Sequence, residues 1–525
     1  PWSIACWVAA ATAARERPMA ILPDFAAFAR AYDGGQPQAI YTRLIADLET
    51  PVAAFLKIGE GRDNAFLFES VQGGESRGRY SIIGLKPDLI WRCRDGKAEI
   101  NRNARAAPAD FRPDDHDGKP LQSLRALISE TRMALPAGLP PMAVALFGYL
   151  GYDMVRLIER LPGPPPDPLN LPDAILIRPT ITAIFDTVRD EILIVTPVWP
   201  EKGLDARAAY ARASERLNDT VSDLERPTPA VAIPAELPPI VAPLSNTTHA
   251  DYLAIVERAK EYILAGDVFQ VVPSQRFRRP FTLPPFSLYR ALRRLNPSPF
   301  LYNLAFPGFN IVGSSPEILV RLRDGVVTIR PIAGTRVRGK TPEEDKALAE
   351  ELMSDPKERA EHLMLVDLGR NDVGRVAKTG DVKVTDSFFI ERYSHVMHLV
   401  SNVEGHIRDG LDAVDALAAG LPAGTLTGAP KIRAMELIDE FEKEKRGAVY
   451  AGAVGYFAAD GSMDTCIVLR TAVVKDGTMY VQAGGGVVAD SVPEAEYQET
   501  INKAKALMSA ADEAIRYASA AKKGQ

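Results

Sequence analysis

Ser354-Asp355-Pro356-Lys357-Glu358-Arg359-Ala360-Glu361-His362-Leu363-Met364-Leu365-Val366-Asp367-Leu368-Gly369-Arg370-Asn371-Asp372 opens with helix signals. Asp355 is placed to cap and Pro356 suits the first turn. Ala360, Leu363, Met364 and Asp367 recur at helical spacing and predict one face. Glu358 and Glu361 then stand one turn apart, where like charges repel unless a cation or a capping task accounts for them. Glu358, three residues after Asp355, can close a capping box.

A second acidic pair lies in Ser491-Val492-Pro493-Glu494-Ala495-Glu496-Tyr497-Gln498-Glu499-Thr500. Ser491 and Glu494 make the capping-box pattern, which leaves Glu496 and Glu499 one turn apart without that task. If both helices border one cleft, four carboxylates meet. A hard cation such as Mg2+ suits them, because it takes one or two carboxylates, keeps waters and borrows oxygens from an anionic substrate. From spacing alone, two solvated acidic faces are the favoured reading, since acidic pairs on helices are common.

The 525 residues leave room for two or three domains, and 46% hydrophobic with 25% charged residues is the balance of a soluble globular chain. A net charge of −6 argues against a general nucleic-acid binder. Cys6, Cys93 and Cys466 are far apart and lack paired metal spacing, which fits a reducing cytoplasmic setting. Trp2 to Ala14 is apolar, yet too short to span a bilayer and without a basic residue before it. No membrane segment is therefore expected, and residues 1–20 read as a disordered extension, with a weak signal peptide as the alternative and Met19 as another start.

A short helix is expected at 24–32, then strands at 66–70 and 79–84 around a glycine-rich turn at 72–78. Residues 143–159 and 180–197 add a Gly-Tyr-rich segment and β-branched strands, and 205–224 reads as a helix. Pro227, Pro229, Pro234, Pro238, Pro239 and Pro243 can neither donate to a ladder nor continue a helix. They mark 226–245 as a linker between an N-terminal region, 21–225, and a C-terminal one, 246–520. Thr248 and Gly266 bracket a further helix. Strand candidates follow at 269–272, 318–320, 326–330, 395–403, 451–458, 463–474 and 479–483, many in hairpin-like order. That order predicts an α+β fold of large mixed or antiparallel sheets flanked by helices.

His395 and His398 alternate to opposite faces of their strand, which excludes a metal pair and leaves each as a core histidine or a general acid-base group. Gly424-Thr425-Leu426-Thr427-Gly428-Ala429-Pro430-Lys431 precedes a predicted helix at 432–441 whose N-terminal amides favour an anion, without the ending of a P-loop. Gln482-Ala483-Gly484-Gly485-Gly486-Val487 is a glycine run whose amides can approach a carboxylate, and Arg470 can grip one through its planar fork. A tight turn and a surface ion pair are the plainer readings of these two.

Pro331-Ile332-Ala333-Gly334-Thr335-Arg336, the Glu358 helix through Leu365 to Asp372, the 424–431 run and Gln482 to Gly486 together resemble the chorismate-utilising enzymes. Within them the closest likeness is to the large subunits of anthranilate synthases, over nearly all of 22–517. The resemblance implies two packed β-rich layers with helices outside and a cleft in the C-terminal half. It implies Mg2+ held by Glu361 and Glu499, with Glu358 and Glu496 in the same shell, bridging to the ring carboxylate of chorismate. It further implies that Tyr450, Arg470 and the amides of Gly484, Gly485 and Gly486 receive a substrate carboxylate, while Gly334 and Thr335 line the ring. Glu317 corresponds to the acid that protonates the departing ring hydroxyl, and His398 to the histidine of the pyruvate-eliminating step, with Thr335 beside these catalytic groups.

Aminodeoxychorismate synthases usually carry a lysine where Ala333 stands, and isochorismate and salicylate synthases a lysine base where Gln270 stands. Alanine cannot attack the ring and glutamine cannot deprotonate water, which favours ammonia as nucleophile. The resemblance also implies a tryptophan pocket made by Glu69, Ser70, Pro299, Phe300 and Leu301, within Leu67-Phe68-Glu69-Ser70 and Asn296-Pro297-Ser298-Pro299-Phe300-Leu301. Nothing in the chain resembles a glutaminase, so a glutamine amidotransferase small subunit, joined in a heterotetramer, is the implied source of ammonia. Tryptophan-inhibited anthranilate formation is the implied activity. Aminodeoxychorismate synthesis and a non-catalytic tryptophan-sensing subunit are the alternatives.

Overall fold

Side-chain alternation along the strands decides the layering. In Ala65–Gln72, Leu67 enters a core shared with helices, whereas its neighbour Phe66 enters one that contains no α-helix residue. The first core joins strands to the helices Phe25–Asp33, Pro51–Ile58, Ala206–Glu225, Pro285–Leu295 and Pro493–Lys522. A third joins other strands to Pro120–Glu130, Pro356–Gly374 and Ala413–Gly420. The order is helix, sheet, sheet, helix, the α+β arrangement that the sequence predicts. This computed structural model describes residues 20–72, 76–114, 116, 118–230, 233–393, 396–447 and 449–522. The expectations for residues 1–19, for the tip of the 72–78 turn and for His395 lie outside them.

Antiparallel hydrogen bonds join 21 strands into one network. Long bent strands connect the two layers. Ser76–Arg94 bulges near Lys86, at φ 53°. Before the bulge Ile83 and Leu85 face the first helix-bearing core; after it Leu89, Trp91 and Cys93 face the other. Strands from the two halves also interleave, Leu301 opposite Glu69 and Val454 opposite Tyr149. The proline-rich stretch ends in Leu244–Ser245, which itself pairs with Phe277 and Arg278.

Asp24, Asp205 and Thr248 cap their helices, and Gly266 ends the last of these at φ 86°. Two expectations differ. The strand predicted across 463–474 breaks between Met463–Ile467 and Thr471–Lys475, because Arg470 turns the chain at φ 48°. The Pro356–Gly374 helix buries His362, Leu365, Val366, Gly369 and Val373, while Leu363 is 59% exposed. Gly369 sets that face by allowing close approach, since a Cβ there would stand 3.3 Å from Pro331 Cγ. No helix among the described residues is long and apolar enough to cross a membrane.

Candidate active site

Asp355 Oδ1 accepts the amides of Lys357 at 2.9 Å and Glu358 at 3.2 Å. The capping box expected of Glu358 does not close. Its Oε1 instead accepts Arg336 Nη1 at 3.0 Å, and Arg336 also holds Asp355. Gly334, at φ 62°, makes room for that carboxylate, because a Cβ there would lie 2.9 Å from Glu358 Oε2. The second box is also replaced. Ser491 donates its hydroxyl to Glu496 Oε1 at 2.7 Å, while Glu494 meets His249 at 2.8 Å.

Glu358 and Glu361 from one helix and Glu499 from the other line a single cavity of about 450 Å3, within the ~300–1,000 Å3 of small-molecule sites. Glu496 stands just behind. A Cβ on Gly485 would lie 3.1 Å from Glu496 Oε2 and 3.9 Å from Glu499 Cδ. Burial raises the Glu361 pKa, and Glu358 and Glu499 raise it further. Burial and Glu499 do the same to Glu496 against the bond from Ser491. Glu496 Oε2 is buried without a hydrogen-bond partner, and Glu499 Oε1 meets Lys503 Nζ at 2.7 Å. Among the described residues no three acidic, histidine or cysteine side chains already enclose a point as a finished metal shell. An orphaned carboxylate oxygen and mutual repulsion fit an ion that completes its shell with waters and substrate oxygens, as Mg2+ does.

Glu317 lies on the turn between Phe309–Ser315 and Ile318–Arg323. Burial pushes its pKa up to about 8, against the pull of Arg470, the Thr425 hydroxyl and Lys503. Arg470 reaches the same cavity through the positive-φ corner described above, a backbone state uncommon for residues other than glycine. A bulge positions His398. The ladder passes from Ala333 opposite Leu399 to Arg336 opposite Met397, so Gly334 and Thr335 stand free beside the ring. His398 Nδ1 lies 2.9 Å from the Gly334 carbonyl and 3.2 Å from Thr335 Oγ1. A carbonyl only accepts, so Nδ1 carries the proton and Nε2 is a bare base. Burial lowers the His398 pKa, which keeps that ring neutral.

Tyr450 and Gly484 share the cavity wall, burial holding the phenol at about 12. Gly485 donates its amide to the Pro273 carbonyl at 3.3 Å. Gly486 packs on Gln270, where a Cβ would fall 2.4 Å from Nε2. Of the glycine run, Gly484 alone borders the cavity.

Residues 66–509 match the profile of the chorismate binding enzymes. The chain belongs to this family. Anthranilate synthase component 1 of Cereibacter sphaeroides is 60% identical over 503 residues, covering 96% of this chain and 100% of that one. Its counterpart from Pseudomonas putida is 49% identical over 472 residues, 89% and 93% of the two chains. The crystal structure of anthranilate synthase component I from Streptococcus pneumoniae superposes with a TM-score of 0.71 at 37% identity, covering 89% of this chain and 99% of that one. The menaquinone-specific isochorismate synthase of Escherichia coli, at 18% identity and a TM-score of 0.67 over 92% of this chain and 99% of its own, shares the fold.

This chorismate binding enzyme has a second, larger cavity of about 650 Å3. Glu69, Ser70, Pro299, Phe300 and Leu301 all border it. The Glu69 carboxylate is already taken, by Tyr289 Oη at 2.5 Å and by Arg293 Nε and Nη2 at 2.6 and 2.9 Å. It ties its strand to the Pro285–Leu295 helix. Sequence reasoning missed Lys503, whose signal was its place one turn after Glu499. It quoted Thr425 within a motif without a task, and nothing pointed to Tyr393 or Arg330.

Proposed function

We propose that this chain is the chorismate-converting subunit of an anthranilate synthase, in which chorismate and ammonia give anthranilate, pyruvate and water, the first committed step of tryptophan biosynthesis. The observation that carries the reading is one cavity lined by both a buried carboxyl, Glu317, and a histidine held through Nδ1, His398. Glu317 keeps a proton up to about pH 8, while His398 presents a bare Nε2. Hydroxide is a poor leaving group, so Glu317 gives its proton to the ring hydroxyl, which departs as water. Ring electrons shift toward that carbon as ammonia bonds beside the ring carboxylate, and the new ammonium loses its surplus proton. His398 Nε2 then takes the proton from the carbon bearing the amine. That electron pair completes the aromatic ring and breaks the bond to the enolpyruvyl oxygen, which leaves with the bonding pair as an enolate, and the enolate takes up a proton on its methylene carbon to become pyruvate.

Glu361 and Glu499 would hold Mg2+, with Glu358 and Glu496 beside them, and the bound ion supplies positive charge at the carboxylate conjugated with the reacting ring. Arg470, Tyr450 and the Gly484 amide suit the other carboxylate of chorismate. Gln270, whose Oε1 is buried and unpartnered, can accept an N–H from the nucleophile but cannot activate water. Ala333 offers no amine for covalent attack, which disfavours aminodeoxychorismate synthesis. The intact acid at Glu317 disfavours a sensor without activity.

The larger cavity takes tryptophan as inhibitor through Ser70 of a regulatory region at 21–225 and Pro299, Phe300 and Leu301 of a catalytic region at 246–520, the strands of the two interleaving. A separate glutamine amidotransferase subunit supplies ammonia in a cytoplasmic heterotetramer. Purified chain with chorismate, Mg2+ and an ammonium salt tests the reading through anthranilate fluorescence, repeated with added tryptophan. No product, or a para-substituted one, overturns it.

A further inference from the structure

The two cavities stand back to back, with Pro316 and Ile332 in the lining of both. One side chain touches the chemistry from the far side of that wall. Tyr393 borders the larger cavity and is 7% exposed. Its hydroxyl donates to Glu391 Oε2 at 2.9 Å, and Arg330 Nη2 donates to the same oxygen at 3.3 Å. Glu391 and Arg330 border the larger cavity too. The Tyr393 ring meets the His398 ring edge-on, with centroids 5.6 Å apart and planes at 63°. His398 borders the smaller cavity and stands opposite Glu391 in the ladder.

A ring held only through Nδ1 can pivot about that contact, which would swing Nε2 away from the substrate. The Tyr393 edge supplies the second constraint that fixes the plane. We infer that Tyr393 is a positioning residue for His398, and that an occupant of the larger cavity acts on pyruvate elimination by shifting the Tyr393–Glu391–Arg330 group. The second half rests on the larger cavity being the tryptophan site; the first half stands without it. Tyr393 itself is tied at both backbone groups, its amide donating to Val396 O at 2.8 Å and its carbonyl accepting Arg338 Nη1 at 2.7 Å.

The full chain tests this with Tyr393→Leu, which removes the ring, and Tyr393→Phe, which keeps the ring and loses the hydroxyl. Without tryptophan, Tyr393→Leu is expected to lower kcat at least tenfold with the chorismate KM within about twofold, because an elimination group is disturbed and substrate binding is not. Chromatography of its reaction should show released aminated intermediate still bearing the enolpyruvyl group, which the wild type does not release. Tyr393→Phe should restore kcat to within about twofold of wild type and the single product, yet need at least about fivefold more tryptophan for half inhibition while calorimetry still shows tryptophan binding. Wild-type product ratios from Tyr393→Leu, or a kcat loss matched by a rise in KM, overturn the positioning role. Unchanged inhibition of Tyr393→Phe overturns the coupling. A wild type that makes no anthranilate instead removes the functional reading itself, and one that makes it without inhibition removes only the regulatory half.

Discussion

The two cavities share a wall and handle charge in opposite ways. In the larger one each acid faces an arginine, Glu69 with Arg293 and Tyr289, Asp464 with Arg321 and Arg323, Glu391 with Arg330, although Asp464 Oδ1 is left without a partner. In the smaller one Glu361 and Glu496 repel their neighbours, Glu496 keeps an orphaned oxygen, and Glu317 is held protonated by burial. A matched cavity is complete before a ligand arrives and selects it by shape. An unmatched one is unfavourable when empty, and on the proposed function that imbalance is what a bound cation and the departing hydroxyl would relieve.

The contrast breaks most sharply at Glu317. Glu317→Gln removes the proton donor without changing the side chain's size, and kcat is expected to fall by about 10²–10⁴ with chorismate KM little changed. Steady-state kinetics with ammonium as nucleophile reads both. Next comes Glu361→Gln, expected to weaken Mg2+ at least about 10-fold, read by calorimetric titration of the ion alone. Without Mg2+ the same variant should melt higher than wild type, because it removes one member of a repelling set. A lower melting temperature would mean that Glu361 is matched after all and the contrast between the cavities false.

The helix starts at Asp24, Asp205, Asp355 and Thr248 were legible in the sequence because each cap acts within three residues of itself, whereas Pro51–Ile58, Pro120–Glu130, Pro285–Leu295, Pro342–Ser354 and Ala413–Gly420 were not foreseen. The α+β class followed from the order of strands and helices. Local rules failed where a distant partner outbids a near one. Arg336 takes Glu358 from its capping box, and His249 takes Glu494 from the box with Ser491. The face of the Pro356–Gly374 helix was misjudged because glycine at 369 is a contact surface only once Pro331, between Val326–Ile329 and Ile332–Val337, lies against it. For the site, resemblance supplied the acids, the arginine and the histidine. It did not supply the carboxylate lock on Glu69, which joins residues 220 apart or more, nor Tyr393, which lies outside every motif.

That lock gives a smaller, cleaner probe of the matched cavity. Glu69→Gln leaves the Arg293 guanidinium facing an amide and should cost about 1–3 kcal/mol of stability. Thermal melting reads the loss, and tryptophan titration should show weakened binding with kcat kept near wild type. If melting is unchanged, Glu69 is free to meet a ligand and the larger cavity is less complete than its hydrogen bonds indicate.

The subtlest difference is a pH drift. Glu317 titrates at about 8 when folded and near 4.5 ordinarily, so between those values the folded chain binds the extra proton. Stability then falls as pH rises through that window, because the unfolded chain holds fewer protons there. Below 4.5 both states are protonated and the side chain adds no penalty; above about 8 the penalty is complete. Glutamine has no proton to lose. The melting temperature of Glu317→Gln relative to wild type should therefore climb from pH 4.5 to 8 and then level, in the variant that has lost the most activity. Stability and catalysis moving in opposite directions at one residue is the signature of an acid that the fold strains to keep protonated. A flat difference across the window would make Glu317 an ordinary carboxylate and leave the departing hydroxyl without its donor.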